Sequence, residues 1–253
     1  MTMWRLEVLR LTRTRRALIL GVAFVFLGCS APLLEYFADD IVSSAASDGV
    51  HVEMPPPSPE DGIGSYASNM QQLGLICVAA VAAASLCLDA RPQTFLFYRL
   101  RVSRKSDILI PRYVVVTAAC IVAYLLGLVG AGYETAVLIG DPGIPRTLEH
   151  GGLVCLYLAF AVAVVAAVAS VLRSVLATVG CSLGLLLVAL PALSAVDELQ
   201  SWTPQTLAGS ADPLLSGKEG LHEYALPAAV CVCLTALLLT VAASRVRLPV
   251  TRK

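Results

Sequence analysis

The chain has 253 residues, of which 57% are apolar and 14% charged, with a mean hydropathy of +0.78. Soluble domains run at roughly 45–50% apolar and about 25% charged, so composition excludes an ordinary soluble domain and points to a membrane protein. The formal net charge of zero conceals a segregation of signs along the chain, and no loop is long enough to form a separate domain.

Residues Met1–Arg16 set Trp4, Val8 and Leu11 at helical spacing beside Arg5, Arg10, Arg13, Arg15 and Arg16. This is the pattern of an amphipathic helix lying on the inner leaflet, its arginines on anionic headgroups. Leu6 and Leu9 fall outside the stripe, and a basic flank that only orients the first span is the other reading. The first apolar run covers about 17–37. Arg15-Arg16 ahead of it and Leu27-Gly28-Cys29 within it resemble a twin-arginine lipoprotein signal, but Phe26 and Leu27 suit such a cleavage site poorly.

Asp39–Asn69 is polar and acidic and holds no Lys or Arg; Pro55-Pro56-Pro57-Ser58-Pro59 predicts extended, polyproline-like backbone. The second span, about 70–88, is Ala-rich. Asp89–Tyr113 follows, with Arg91, Arg99, Arg101, Arg104, Lys105 and Arg112. Short connections rich in Lys and Arg resist translocation, so this loop is expected inside, and it reads as a docking element for a cytoplasmic partner.

The third span covers 113–133, and Glu134–His150 is a short outer connection with a turn signal at Asp141-Pro142-Gly143. Spans four (151–172) and five (175–196) are separated only by Arg173 and Ser174, which predicts a tight hairpin with its tip inside. The last outer loop, Asp197–Glu223, contains Trp202, Pro204, Leu207, Leu214 and Leu215, apolar enough to dip into the interface. The sixth span is 224–244, and Arg245, Arg247, Arg252 and Lys253 hold the C-terminus inside. The fold class expected is therefore an all-α polytopic membrane protein with six transmembrane helices and both termini cytoplasmic. Of the 18 basic residues only Arg146 and Lys218 fall outside, and of the 18 acidic ones only Glu7, Asp89 and Asp107 fall inside. A wrong span count would scramble that partition.

Chemistry-bearing residues are sparse. The middles of the spans hold no Asp, Glu, Lys, Arg or His, which weighs against ion-coupled transport and intramembrane hydrolysis. The eight cysteines lie in apolar runs and read as small packing residues. His51, His150 and His222 map to outer loops without a ligand spacing. Ser216-Gly217-Lys218 lacks the glycine a phosphate loop requires, because Asp212 stands there, so the chain has no nucleotide site of its own. Ala159, Ala163 and Ala167, and Gly180 and Gly184, form small-residue stripes of the kind that let helices approach closely in lipid.

The set of six spans, an amphipathic N-terminal segment, a long basic loop after span two, a minimal turn after span four and a semi-apolar loop before span six resembles the permease subunits of ABC-2 type ABC transporters. Local support is Ala90-Arg91-Pro92, Tyr98-Arg99-Leu100-Arg101-Val102-Ser103-Arg104 and Ile110-Pro111-Arg112-Tyr113, which resemble that family's inner loop. The resemblance implies a cytoplasmic coupling helix within Arg91–Val102 that docks on a separate ATPase subunit. Pro92 would lie in its first turn, Phe95, Phe97, Tyr98 and Leu100 would be apolar anchors, and Arg99 and Arg101 would form the rim. Those aromatics also suit simple interfacial anchoring. Arg173 and Ser174 would make a second inner contact, and Trp202, Pro204 and Leu207 would belong to an outer re-entrant segment. ATP and Mg would bind the partner ATPase, with no cofactor in this chain; a second permease copy or sibling would complete the assembly. Membrane lipid is expected as a partner, and nucleic acid is not. The location implied is a bacterial plasma membrane, and the cargo lipophilic or amphipathic: an antibiotic, lipid or peptide. The alternative is a membrane sensor or scaffold whose basic loop binds a cytoplasmic regulator.

Overall fold

A computed structural model describes residues 3–38, 41, 56–87, 106–172, 174–196 and 202–245. Six of its helices are long and apolar enough to cross a membrane, and no strand occurs among the described residues. The protein is an all-α, multi-pass membrane protein. A bilayer supplies no hydrogen bonds to backbone, so helices that satisfy their own peptide groups are the form such apolar segments take.

Helix α1 (Met3–Arg13) ends at Thr14 and Arg15, where Arg15 takes a left-handed φ of 55° and turns the chain into α2 (Arg16–Tyr36). Its apolar stripe is divided differently from the sequence expectation. Leu11 is buried against the bundle together with Glu7, whereas Trp4 and Val8 lie on the open side. An ion pair from Glu7 to Arg112 selects the face that packs.

Helix α3 (Pro59–Leu86) starts eleven residues earlier than the apolar run predicts. Pro59 sits in its first turn and Ser58 forms a capping box with Asp61: Asp61 N–H donates to Ser58 Oγ, and Ser58 N–H donates to Asp61 Oδ2 at 2.8 Å. The end of the proline run is thus a helix start. A π-turn over Met70–Gly74 interrupts α3. Helix α4 (Ser106–Leu138) also exceeds its predicted span, extending back into the basic loop. The Asp141 turn forms as expected, with Gly143 N–H donating to Asp141 Oδ1 at 3.0 Å, and leads into α5 (Ile144–Val171), the most buried of the six spans.

Helix α6 (Val175–Ser194) follows the short connection after α5. A π-turn at Gly184–Ala189 precedes its Pro191; the proline lacks an N–H and crowds the carbonyl four residues back, and a widened turn accommodates both. Two short helices, α7 (Gln205–Ala208) and α8 (Ala211–Leu215), lie before α9 (Ala225–Arg245), which a 3-10 turn over Leu221–Tyr224 introduces. The six spans alternate in direction. The starts of α2, α4 and α6 and the ends of α3, α5 and α9 therefore share one end, here the base; α7 and α8 lie at the other, the cap end.

The closest approach joins α2 and α4. A Cβ on Gly28 would stand 2.1 Å from the Gly127 carbonyl oxygen, and one on Gly127 would stand 2.5 Å from the Phe24 carbonyl oxygen. No other residue type lets the backbones meet there. Above the contact Tyr66 and Tyr124 stack with centroids 5.6 Å apart, Phe24 meets Tyr124 edge-on at 6.4 Å, and the Tyr66 hydroxyl donates to the Tyr124 carbonyl at 2.8 Å. The stripe expected on α6 does not pack in this way: a Cβ on Gly180 or Gly184 would meet nothing within 4 Å. Of the alanine stripe on α5, Ala163 is fully buried.

Gly127→Val is expected to destabilise the fold by at least about 1–3 kcal/mol through overpacking against backbone, and Gly180→Ala to stay within about 0.5 kcal/mol of wild type. Thermal unfolding midpoints in detergent measure both; equal shifts would contradict the packing described.

Candidate functional site

Charged side chains concentrate at the two ends of the bundle, and the shaft between them carries only neutral polar groups among the described residues. At the base, α1 is fastened by charge. Arg112 Nε donates to Glu7 Oε1 at 2.7 Å, with both side chains 7% exposed or less. Arg10 lies one turn further along α1, its Nη1 3.6 Å from Glu7 Oε2. Arg16 reaches across to the end of α3, its Nη1 donating to the Ala84 carbonyl at 2.9 Å and to Ser85 Oγ at 3.3 Å. Carbonyls in a helix's last turns have no partner of their own, and a cation there also meets the negative end of the helix dipole.

The tip between α5 and α6 lies at the same end. Ser174 is exposed at the N-terminus of α6, where its carbonyl accepts from Thr178 Oγ1 at 2.9 Å, and Thr178 Oγ1 lies 3.4 Å from Cys87 Sγ. Cys87 ends α3 immediately before the basic loop, so the α5–α6 tip is packed at that loop's root. Arg91, Pro92, Phe95, Phe97, Tyr98, Arg99, Leu100 and Arg101, together with Arg173, lie outside the described residues.

At the cap end, α7 and α8 fill the space between the outer turns of α3 and α5. Of the three residues predicted there, Pro204 and Leu207 are buried and Trp202 is exposed; Leu214 and Leu215 are buried as well. A chain of amides pins α7 inside the bundle. Gln71 Nε2 donates to the Ala208 carbonyl at 2.7 Å, Gln205 Nε2 donates to Gln71 Oε1 at 3.0 Å, and the Tyr157 hydroxyl donates to Gln205 Oε1 at 3.2 Å. Tyr157 is thirteen residues into α5, about 20 Å from its first residue along the axis. The 28-residue helix is about 42 Å long against a hydrocarbon core of about 30 Å. Tyr157 therefore stands near the middle of α5, and the amide chain lies well inside the bundle.

His150 closes the cap's other edge and corrects the expectation of a solvated loop histidine: it lies within α5 and is fully buried. The Ser210 hydroxyl donates to the Leu207 carbonyl at 2.9 Å, and His150 Nδ1 lies 2.9 Å from the same hydroxyl oxygen. His150 Nε2 is buried without a hydrogen-bond partner. Arg146, one of two basic residues expected outside, has its Nη1 donating to the Leu215 carbonyl at 2.9 Å. Gly217, with φ of 70°, leaves the room this needs, since a Cβ there would meet the guanidinium at 2.7 Å.

The eight cysteines are free thiols; Cys87, Cys120 and Cys231 are buried, whereas Cys181 and Cys233 are exposed. Two of the polar devices had sequence signals that composition overshadowed. Glu7 is the one acidic residue among five arginines at the N-terminus, and Gln71 begins an amide pair in an apolar run. His150 and Ser210 are sixty residues apart and unremarkable in sequence.

Breaking a buried ion pair by removing one member costs up to about 3–5 kcal/mol, while replacing both with apolar residues is much less harmful. Arg112→Met and Glu7→Leu are each expected to destabilise strongly, and the double variant by less than the sum. Additive losses in the double-mutant cycle would mean that the two groups are not coupled.

No protein-family model and no curated protein matches the chain, so a functional reading stands on the uncharged shaft and the two polar ends.

Proposed function

We propose that the chain is the membrane-spanning permease subunit of an ATP-driven exporter of the ABC-2 type, working in a bacterial plasma membrane with both termini cytoplasmic. The observation that carries the reading is the pairing of ends. At one, an interfacial helix, the root of the basic loop and the α5–α6 tip converge; at the other, two short helices plug the bundle. A permease that passes force from an ATPase to an exit gate needs these two kinds of end. The base is the cytoplasmic side, because the loop, the termini and the α5–α6 tip there carry 16 of the 18 basic residues.

The coupling helix lies in Arg91–Val102 and meets the ATPase through Phe95, Phe97, Tyr98 and Leu100, with Arg91, Pro92, Arg99 and Arg101 around them; Arg173 and Ser174 add a smaller contact. ATP and Mg are held by that partner, and a second permease subunit completes the path. Because no span carries a charged residue near its middle, the cargo is lipophilic or amphipathic: a charged ligand would be left without counter-charge in a low-dielectric path.

The test is to find whether an ATPase is encoded alongside and to co-purify the chain with it, using Phe95→Asp and Arg99→Glu. Hot-spot residues at protein interfaces cost about 2 kcal/mol or more when removed, so each variant should weaken association at least about thirtyfold and abolish ATPase stimulation. Unchanged association would remove the coupling-helix assignment. Capture of a regulator in place of an ATPase would favour a membrane scaffold.

A further inference from the structure

The base contains a cleft around the ion pair that the transport reading does not use. It lies between α1, the start of α2, the end of α3 and the first turns of α4, and its empty volume, open mouth included, is about 240 Å3. Among its described lining residues three guanidinium groups, from Arg10, Arg16 and Arg112, accompany one carboxylate, Glu7; Val115 and Val116 form its apolar wall. Glu7 Oε1 is taken by Arg112 at 2.7 Å. Arg10 Nη1 is 3.6 Å from the other carboxylate oxygen, beyond hydrogen-bond range, and this buried nitrogen has no hydrogen-bond acceptor. A buried cationic N–H without an acceptor is costly.

We infer that this cleft binds a phosphate group, and that the phosphate belongs to an anionic phospholipid of the adjoining leaflet. Guanidinium forks match phosphate oxygens in charge and geometry, forming short charge-assisted bonds. The cleft is at the right height: α2 begins at Arg16 and α3 ends at Leu86, so the helices leave the bilayer here, where headgroup phosphates are the most concentrated oxyanions. Trp4, Val8 and Leu9 are exposed on α1, as in a helix resting its free side in the interface. The valine wall suits a ligand with acyl chains more than a free anion. A lipid seated there joins α1 to three spans at once, through Arg10 on one side and the α2–α3 junction on the other. The inference does not depend on the transporter reading, since it requires only the bundle and a bilayer.

The full chain in nanodiscs tests it, with the thermal midpoint titrated against phosphatidylglycerol in a phosphatidylcholine background and retained lipid counted by native mass spectrometry. Arg10→Gln is compared with Arg5→Gln, the same charge change at an exposed position of the same helix. Loss of one surface charge weakens attraction to an anionic membrane about fivefold; loss of a site ligand costs at least about tenfold in apparent affinity. The expected result is that Arg5→Gln retains a bound phosphatidylglycerol and Arg10→Gln does not. Equal losses in the two variants, or no response of wild type to phosphatidylglycerol, would overturn the site. Inorganic phosphate added to pure phosphatidylcholine discs separates the sources: an equal rise in midpoint would uphold a phosphate site and overturn lipid as its supply. If Arg10→Gln is unstable without anionic lipid, Arg10→Lys replaces it in the same comparison, keeping the charge and losing the fork.

Discussion

The backbone contact between Gly28 and Gly127 sets the geometry of the bundle. In lipid no hydrophobic force draws apolar helices together, so association depends on close packing and on the few polar groups available. Two facing glycines bring α2 and α4 nearer than side chains allow, and the ring cluster of Phe24, Tyr66 and Tyr124 then closes over the seam. Because α2 and α4 are fixed together, Arg16 at the start of one and Arg112 near the start of the other emerge side by side. Glu7 on α1 can reach Arg112 only because that spacing already exists.

The ends and the shaft divide the work. A charge in the middle of the bilayer is expensive, whereas at the ends water and headgroups share its solvation. This protein keeps its ion pair and arginine cluster at the base and its amide chain at the cap. The cap polar groups are neutral (amides, hydroxyls and an imidazole), which lets them sit deeper than charges could. Each hydrogen bond there is modest in isolation, yet breaking one leaves a buried group unsatisfied, so the cap is either held as a unit or released as a unit.

The apolar spans and their number were legible in the sequence because they follow from bulk properties of lipid. The Asp141 turn was legible from its own residues. The misreadings came where a local hydrogen bond overruled composition. Pro55–Pro59 reads as polyproline until Ser58 and Asp61 are taken as a capping box, and the polar helix from Pro59 then needs no apolar run. Trp4, Val8 and Leu11 share a stripe by spacing, but a partner for Glu7 one hundred residues away decides which neighbours are buried. Gly180 and Gly184 carry the familiar spacing and touch nothing, while Gly28 and Gly127, isolated in sequence, make the close contact. Spacing within one helix cannot reveal which glycine meets a glycine on another.

The cap's depth follows from the same logic as the early start of α3. A loop entering a membrane must satisfy its backbone from side chains of the walls, and the walls here are the outer halves of α3 and α5. Gln71 is available because the π-turn over Met70–Gly74 alters the helix phase at that point, and such turns are frequent at functional positions. Its amide then serves both the Ala208 carbonyl and Gln205. With a regular helix over residues 70–74 the residues beyond the turn would be rotated relative to those before it, and the faces presented to α2 and to the cap could not both be kept. The irregular turn in α3 is therefore the element that reconciles a tightly packed seam on one side with a hydrogen-bonded cap on the other.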